Sequence, residues 1–193
     1  MEELEVAFEL KNSIEEAQKK LKDLKFIEEQ DIVDIYFYDP NKYTSKPTSD
    51  KELRECLRLR NINGKYIVSY KIDKFNDKDE YVYSDNTFKE IDDPKVALTQ
   101  FNEAGLKELV TLKKKRYCYK HNSYSVYLEE IDSLGNFLEV EKMCSEKAHF
   151  EKVKKDLEVI SCLFLLFPKL LAILTSLLSI IKIEINCYKY HNN

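Results

Sequence analysis

Four short stretches place like charges two residues apart. Leu57-Arg58-Leu59-Arg60 sets two arginines against two leucines, and Lys114 and Arg116 share that spacing within Leu112-Lys113-Lys114-Lys115-Arg116. Glu139 and Glu141 flank Val140 after Leu138, and Glu3 and Glu5 alternate with Leu4 and Val6. Successive strand side chains point to opposite faces, so each pair shares one face. On any single strand, such a face is ordinary solvated surface. Together, acidic on the first and last strands and basic on two middle ones, the pairs suit a multivalent ligand. Carboxylates are hard oxygen donors for Mg²⁺ or Mn²⁺. Guanidinium forks and ammonium groups suit phosphate oxygens. A closed barrel with charges inside and apolar faces outside, under helices, would hold a metal-bound polyphosphate.

These pairs need strands to position them. Residues 2–10 alternate at period two and predict a strand. Ser13, with Glu16 three positions later, predicts a capped helix over about 14–25, with an apolar stripe of Ile14, Ala17, Leu21 and Leu24. Ile32 to Tyr38 reads as a strand ending at Asp39-Pro40. Leu53–Ile62 and Lys65–Ile72 flank Asn63-Gly64, a hairpin signal, and Tyr81–Ile91 follows as a weaker strand. Asp92-Asp93-Pro94 opens a second helix that Gly105 ends. Leu109–Tyr119, Ser123–Ile131 and Phe137–Lys142 read as strands and Ser145–Ile160 as a third helix. The pattern is α+β, with about eight mostly antiparallel strands. One domain spans about residues 1–158, followed by a tail over 159–193. In the run Lys113 to Arg116, a slip of one residue would exchange the faces.

The 193 residues carry 31 Lys+Arg against 35 Asp+Glu, a net charge of −4. With 44% hydrophobic residues the chain is not disordered, and without excess positive charge it is not a general polyanion or nucleic-acid duplex binder. Three glycines exclude a Gly-rich phosphate loop. The five cysteines show no metal-ligand spacing, so reduced thiols of a cytoplasmic protein are expected. The three histidines neighbour no nucleophile and are assigned no chemistry. The acidic start reads as neither signal nor transit peptide. Val159 to Ile181 is almost wholly apolar apart from Pro168-Lys169. It reads as a membrane tether, a core helix pair split at Pro168, or an aberrant end such as out-of-frame read-through.

The ordered set of motifs resembles the CYTH domain of the triphosphate tunnel metalloenzymes. Glu3-Leu4-Glu5 resembles the family's ExExK, and Gln30 to Pro40 its second strand. Leu57-Arg58-Leu59-Arg60 resembles LRxR, Ser69-Tyr70-Lys71 resembles TxK, and Lys114-Lys115-Arg116 resembles KxR. Leu128 to Glu141 resembles the LDxVxxLGxFxExE run of the class IV adenylyl cyclase branch. The resemblance covers residues 3–141 and implies an eight-stranded antiparallel closed barrel with flanking helices. By position it implies Glu3, Glu5, Glu139 and Glu141 as ligands of two Mg²⁺ or Mn²⁺ ions. It likewise implies Arg58, Arg60, Lys71, Lys114 and Arg116 as phosphate ligands, and Glu129 as a catalytic carboxylate where the family usually has Asp. Tyr36 and Tyr127 are candidates to line the tunnel.

The implied substrate is ATP, thiamine triphosphate or tripolyphosphate. The implied reaction is ATP cyclisation to cAMP and pyrophosphate; the alternatives are a triphosphatase and a non-catalytic polyphosphate binder. The last is motivated by Ala7 in place of the ExExK lysine, and by Ser84, Asn86 and Phe88 where the family often has RxExE. A further reading is a domain displayed on a membrane by its tail. Oligomeric state is not legible.

Overall fold

The computed structural model describes residues 2–42, 45, 54–79, 81–144, 152–153, 155–157 and 159. Among these residues, eight strands and two continuous helices follow one another: β1 (Glu2–Leu10), α1 (Ile14–Lys20), β2 (Lys25–Tyr38), β3 (Glu55–Ile62), β4 (Lys65–Phe75), β5 (Tyr81–Ile91), α2 (Pro94–Glu103), β6 (Lys107–His121), β7 (Tyr124–Ile131) and β8 (Gly135–Cys144). The strands close into an antiparallel barrel in the order β1-β5-β4-β3-β2-β6-β7-β8. The predicted α+β class and eight-stranded closed barrel are therefore observed.

The turns follow from local chemistry. Asn63 and Gly64 both take positive φ, 50° and 87°, the conformation a tight β3–β4 hairpin needs. The Asn61 side-chain oxygen accepts from the Gly64 N–H at 2.8 Å. Ser13 caps α1 by accepting from the Glu16 N–H at 3.3 Å, and Asp93 caps α2 by accepting from the Lys95 N–H at 2.8 Å.

The barrel is apolar outside and charged inside, the reverse of a simple sandwich. Leu4, Leu10, Val126, Leu128, Leu138 and Val140 point outward, where Ile14 and Ala17 of α1, with Leu21, Val153 and Leu157, cover them. A second cluster seats Ala97 and Phe101 of α2 on Phe37 and Leu59. Phe37 and Phe101 meet edge to face at 5.1 Å. Full burial of each large aliphatic side chain contributes about 1.5–3 kcal/mol, so the helices fix the barrel by its outer surface.

Several boundaries differ from expectation. β2 begins at Lys25 rather than Ile32, because its polar first half pairs with β6 from Lys25↔Lys120 to Gln30↔Arg116, across an irregularity at Phe26/Glu28. α1 stops at Lys20 because the chain must turn into that longer strand. β1 runs along β8 for its whole length but meets β5 at one described pair, Glu3↔Ser84. Of the third helix, residues 152–153, 155–157 and 159 are described and helical. The apolar tail lies outside the described residues beyond Val159, and with it every reading of that tail. Among the described residues, no helix is long and apolar enough to cross a membrane.

Candidate functional site: a charged cavity in the barrel

The inward faces of β1, β3, β6 and β8 each deliver a like-charged pair to one cavity of about 150 Å³. Glu3 and Glu5 come from β1, and Glu139 and Glu141 from β8. Glu5 lies directly across from Glu141, so these two strands form an acidic wall. Arg58 and Arg60 of β3, Lys71 of β4, and Lys114 and Arg116 of β6 complete the basic side. Tyr36 and Asn86 are the remaining lining residues. Lys114 and Arg116 face inward, which settles the register of that run. Lys115 points out, where it pairs with Glu29 at 2.7 Å.

The charges neutralise one another inside the cavity. Lys71 Nζ donates to Glu5 Oε1 at 2.5 Å. Burial opposes the charged form of both groups, but their mutual attraction outweighs it: Glu5 is held below its ordinary range and Lys71 above. Glu3 is raised by burial and by its neighbours Glu5 and Glu141. Glu139 is pushed up to about 7, mainly by burial, with Glu129 and Glu5 adding repulsion against the pull of Arg116. Arg116 Nη2 reaches Glu139 at 3.3 Å, and its guanidinium lies 4.2 Å from the Tyr127 ring centre. Tyr127 donates to Glu141 Oε1 at 2.6 Å, so this tyrosine braces the cavity wall rather than lining it.

Two carboxylates behind the lining hold the cations in place. Glu129 is 3% exposed and accepts from Lys114 Nζ at 2.7 Å and Arg116 Nε at 2.5 Å. It is absent from the cavity surface. Asp34 is fully buried and accepts from Arg60 Nε at 2.6 Å and Nη2 at 2.7 Å. Burial alone would raise Asp34; the bonds and charge of Arg60, with Arg58 and Lys114, hold it below its ordinary value. Arg58 Nε donates to Ser69 Oγ at 3.2 Å.

Sequence reasoning missed Asp34 and the role of Asn86. A signal for Asp34 existed: an acid on the Ile32–Tyr36 face of an otherwise apolar strand needs a buried partner. It also missed a chain in which Ser84 Oγ donates to Asp73 Oδ1 at 2.7 Å and lies 2.9 Å from the Tyr81 hydroxyl. A larger, open depression of about 580 Å³ beside the Asn63–Gly64 turn shares only Lys114 with the cavity.

Four inward carboxylates provide the hard oxygens that Mg²⁺ or Mn²⁺ prefers, and in chemistry they fit such an ion. Among the described residues, no three His, Cys, Asp or Glu side chains form a ready-made chelate. Oxygens from a bound phosphate would have to complete the coordination.

The result is an outwardly apolar, inwardly charged closed barrel with opposed acidic and basic walls. The CYTH domain family profile matches residues 1–166, and the chain belongs to the CYTH family. A Methanocaldococcus jannaschii protein named "putative adenylate cyclase" is 30% identical over 158 residues, covering 80% of this chain and 83% of its own. A solved Pyrococcus horikoshii OT3 protein superposes with TM-score 0.71 at 25% identity, covering 84% of this chain and 89% of that one. A Hippeastrum protein, described as a "putative adenylyl cyclase" with a dominant triphosphatase activity, shares the fold. It has TM-score 0.55 and 19% identity, covering 82% of this chain and 85% of its own.

Proposed function

We propose that this protein binds the triphosphate of ATP together with divalent cations and cyclises it to cAMP, releasing pyrophosphate. The observation that carries the reading is the opposition of four carboxylates to five cations around one small cavity. With Asp34 and Glu129 behind the lining, six carboxylates face five cations, so the site suits a polyanion that arrives with divalent cations for the acidic wall. The 30% identical relative named for adenylate cyclase supports ATP as substrate.

Arg58, Arg60, Lys71, Lys114 and Arg116 grip the phosphate oxygens. Glu3, Glu5, Glu139 and Glu141 would hold Mg²⁺ or Mn²⁺ at two sites, where the ions would supply Lewis-acid neutralisation of phosphate charge. The arginines act as fixed forks, because Asp34 holds Arg60 and Glu129 holds Arg116 in position. Glu129 is therefore a positioning residue that works through Lys114 and Arg116. Cyclisation has the ribose 3′-hydroxyl attack the α-phosphorus, with pyrophosphate leaving toward the basic side. Charge building on that leaving group meets cations already aligned, which is where most of the rate gain arises.

Hydrolysis is the second reading, with water attacking the terminal phosphorus in the same cavity. It is favoured by the cavity's size, about 150 Å³, which suits phosphates more than a whole nucleotide. The deciding experiment is incubation of the full chain with Mn²⁺ and ATP, followed by separation of the products. Formation of cAMP and pyrophosphate supports cyclisation, and ADP and phosphate support hydrolysis. Binding without turnover of ATP, thiamine triphosphate or tripolyphosphate supports a non-catalytic binder and overturns both.

A further inference from the structure

We propose that Asn86 and Phe88 form a subsite for the organic group of the substrate, selecting a nucleoside triphosphate over inorganic tripolyphosphate. The inference rests on the triphosphate reading above and names the part of the ligand that lies beyond the phosphates.

Asn86 lines the cavity, directly across the ladder from Lys71. Its side-chain oxygen is buried and has no hydrogen-bond partner. A buried carbonyl oxygen left unpaired is costly and calls for a donor. Ionised phosphate oxygens only accept, so the phosphates gripped by Lys71 cannot satisfy it. A ribose hydroxyl or a ring amine can. A divalent ion or its bound water can satisfy this oxygen as well, but of the two ligands only a nucleotide itself carries a hydroxyl or amine donor.

Phe88 stands two residues further along the same strand face, about 7 Å away by strand rise. It is 69% exposed, the most exposed large apolar side chain among the described residues. A lone exposed apolar residue is commonplace on a protein surface. This one lies beyond the cavity lining but on the strand face of Asn86, and its ladder partner is Ser69, the residue to which Arg58 donates. Ring and phosphate-binding guanidinium thus share one stretch of wall. Among the described residues β1 meets β5 only at Ser84, so the far half of β5 borders an open side of the barrel. A triphosphate seated among Arg58 and Lys71 would extend past Asn86 and lay its base on Phe88. An aromatic platform of this kind stacks any base, so ring presence rather than base identity is selected.

The test is calorimetry of the full chain in Mg²⁺ with ATP and with tripolyphosphate, for the natural protein, Phe88→Ala, Phe88→Trp and Asn86→Leu. The readout is the ratio of the two affinities, which cancels any general loss of folding. The natural protein is expected to favour ATP, and Phe88→Ala to lower that preference about tenfold. Phe88→Trp should keep it, and Asn86→Leu should lower it several-fold. A ratio unmoved by Phe88→Ala and Asn86→Leu, with both ligands binding, overturns the subsite alone. Binding of neither ligand by the natural protein overturns the triphosphate reading and the subsite with it.

Discussion

Asp34→Asn should make the protein less stable and at the same time a better polyanion binder. The fully buried carboxylate holds the Arg60 fork through bonds of 2.6 and 2.7 Å, with Lys114 Nζ 3.9 Å away. Asparagine keeps the volume but sets amide N–H donors against guanidinium donors. Breaking one side of a buried ion pair costs about 3–5 kcal/mol. The lower end applies, because the Arg60 side chain is 11% exposed in a polar cavity and partly rehydrates. About 3 kcal/mol corresponds to a Tm lower by about 6–12 °C for a domain of this size.

The binding effect has the opposite sign. Removing one negative charge from the wall strengthens attraction for a triphosphate by about 1 kcal/mol after screening, or roughly fivefold in Kd. The pH dependence follows from the depressed carboxyl. Its contribution is whole above the unfolded-state pKa of about 3.9 and is lost as pH falls through the lower folded-state value. The natural protein should therefore lose stability on acidification below about pH 4 more steeply than Asp34→Asn. Urea unfolding followed by circular dichroism, with calorimetry of tripolyphosphate binding, reads both effects. Stability within about 0.5 kcal/mol of the natural protein, or weaker binding by the variant, would refute the reasoning.

Other perturbations probe the remaining parts. Glu129→Gln leaves Lys114 and Arg116 with a neutral partner; turnover should fall about 10- to 100-fold, with a smaller change in ATP affinity, as single-turnover and binding measurements will show. Ala7→Lys places an ammonium on the inward face of β1 opposite Glu139; where the missing lysine limits turnover, product formation in Mn²⁺ should rise, and an unchanged rate refutes that limit. Cys118 is pushed up to about 11 by burial, and Cys56 is raised too, so both should resist iodoacetamide near neutral pH until urea unfolds the barrel. Peptide mapping that finds either one alkylated in the folded protein contradicts their burial.

The charged pairs were legible because a strand's period of two reports faces directly. Once Arg58 and Arg60 alternate with leucines, only one face can be inside. Lys113 to Arg116 left two registers open, and the ladder Gln30↔Arg116 and Arg116↔Glu129 chose between them. The first half of β2 was not legible, since Lys25 to Asp31 owes its strand state to pairing with β6 rather than to apolar alternation. Asp34 escaped because a buried acid is read from its partner, and Arg60 is 26 residues away. Asn86 escaped because an orphaned oxygen is visible only when its surroundings are in place.

The central claim is that the barrel interior is a metal-assisted triphosphate site. Calorimetric titration of the full chain with tripolyphosphate, with and without Mg²⁺, alongside Arg58→Ala and the double substitution Glu139→Gln/Glu141→Gln, tests it most directly. The account predicts one-to-one binding that Mg²⁺ strengthens. Arg58→Ala should weaken it in both conditions, and the double substitution should remove the Mg²⁺ effect. Absence of binding, or binding indifferent to Arg58, would contradict it.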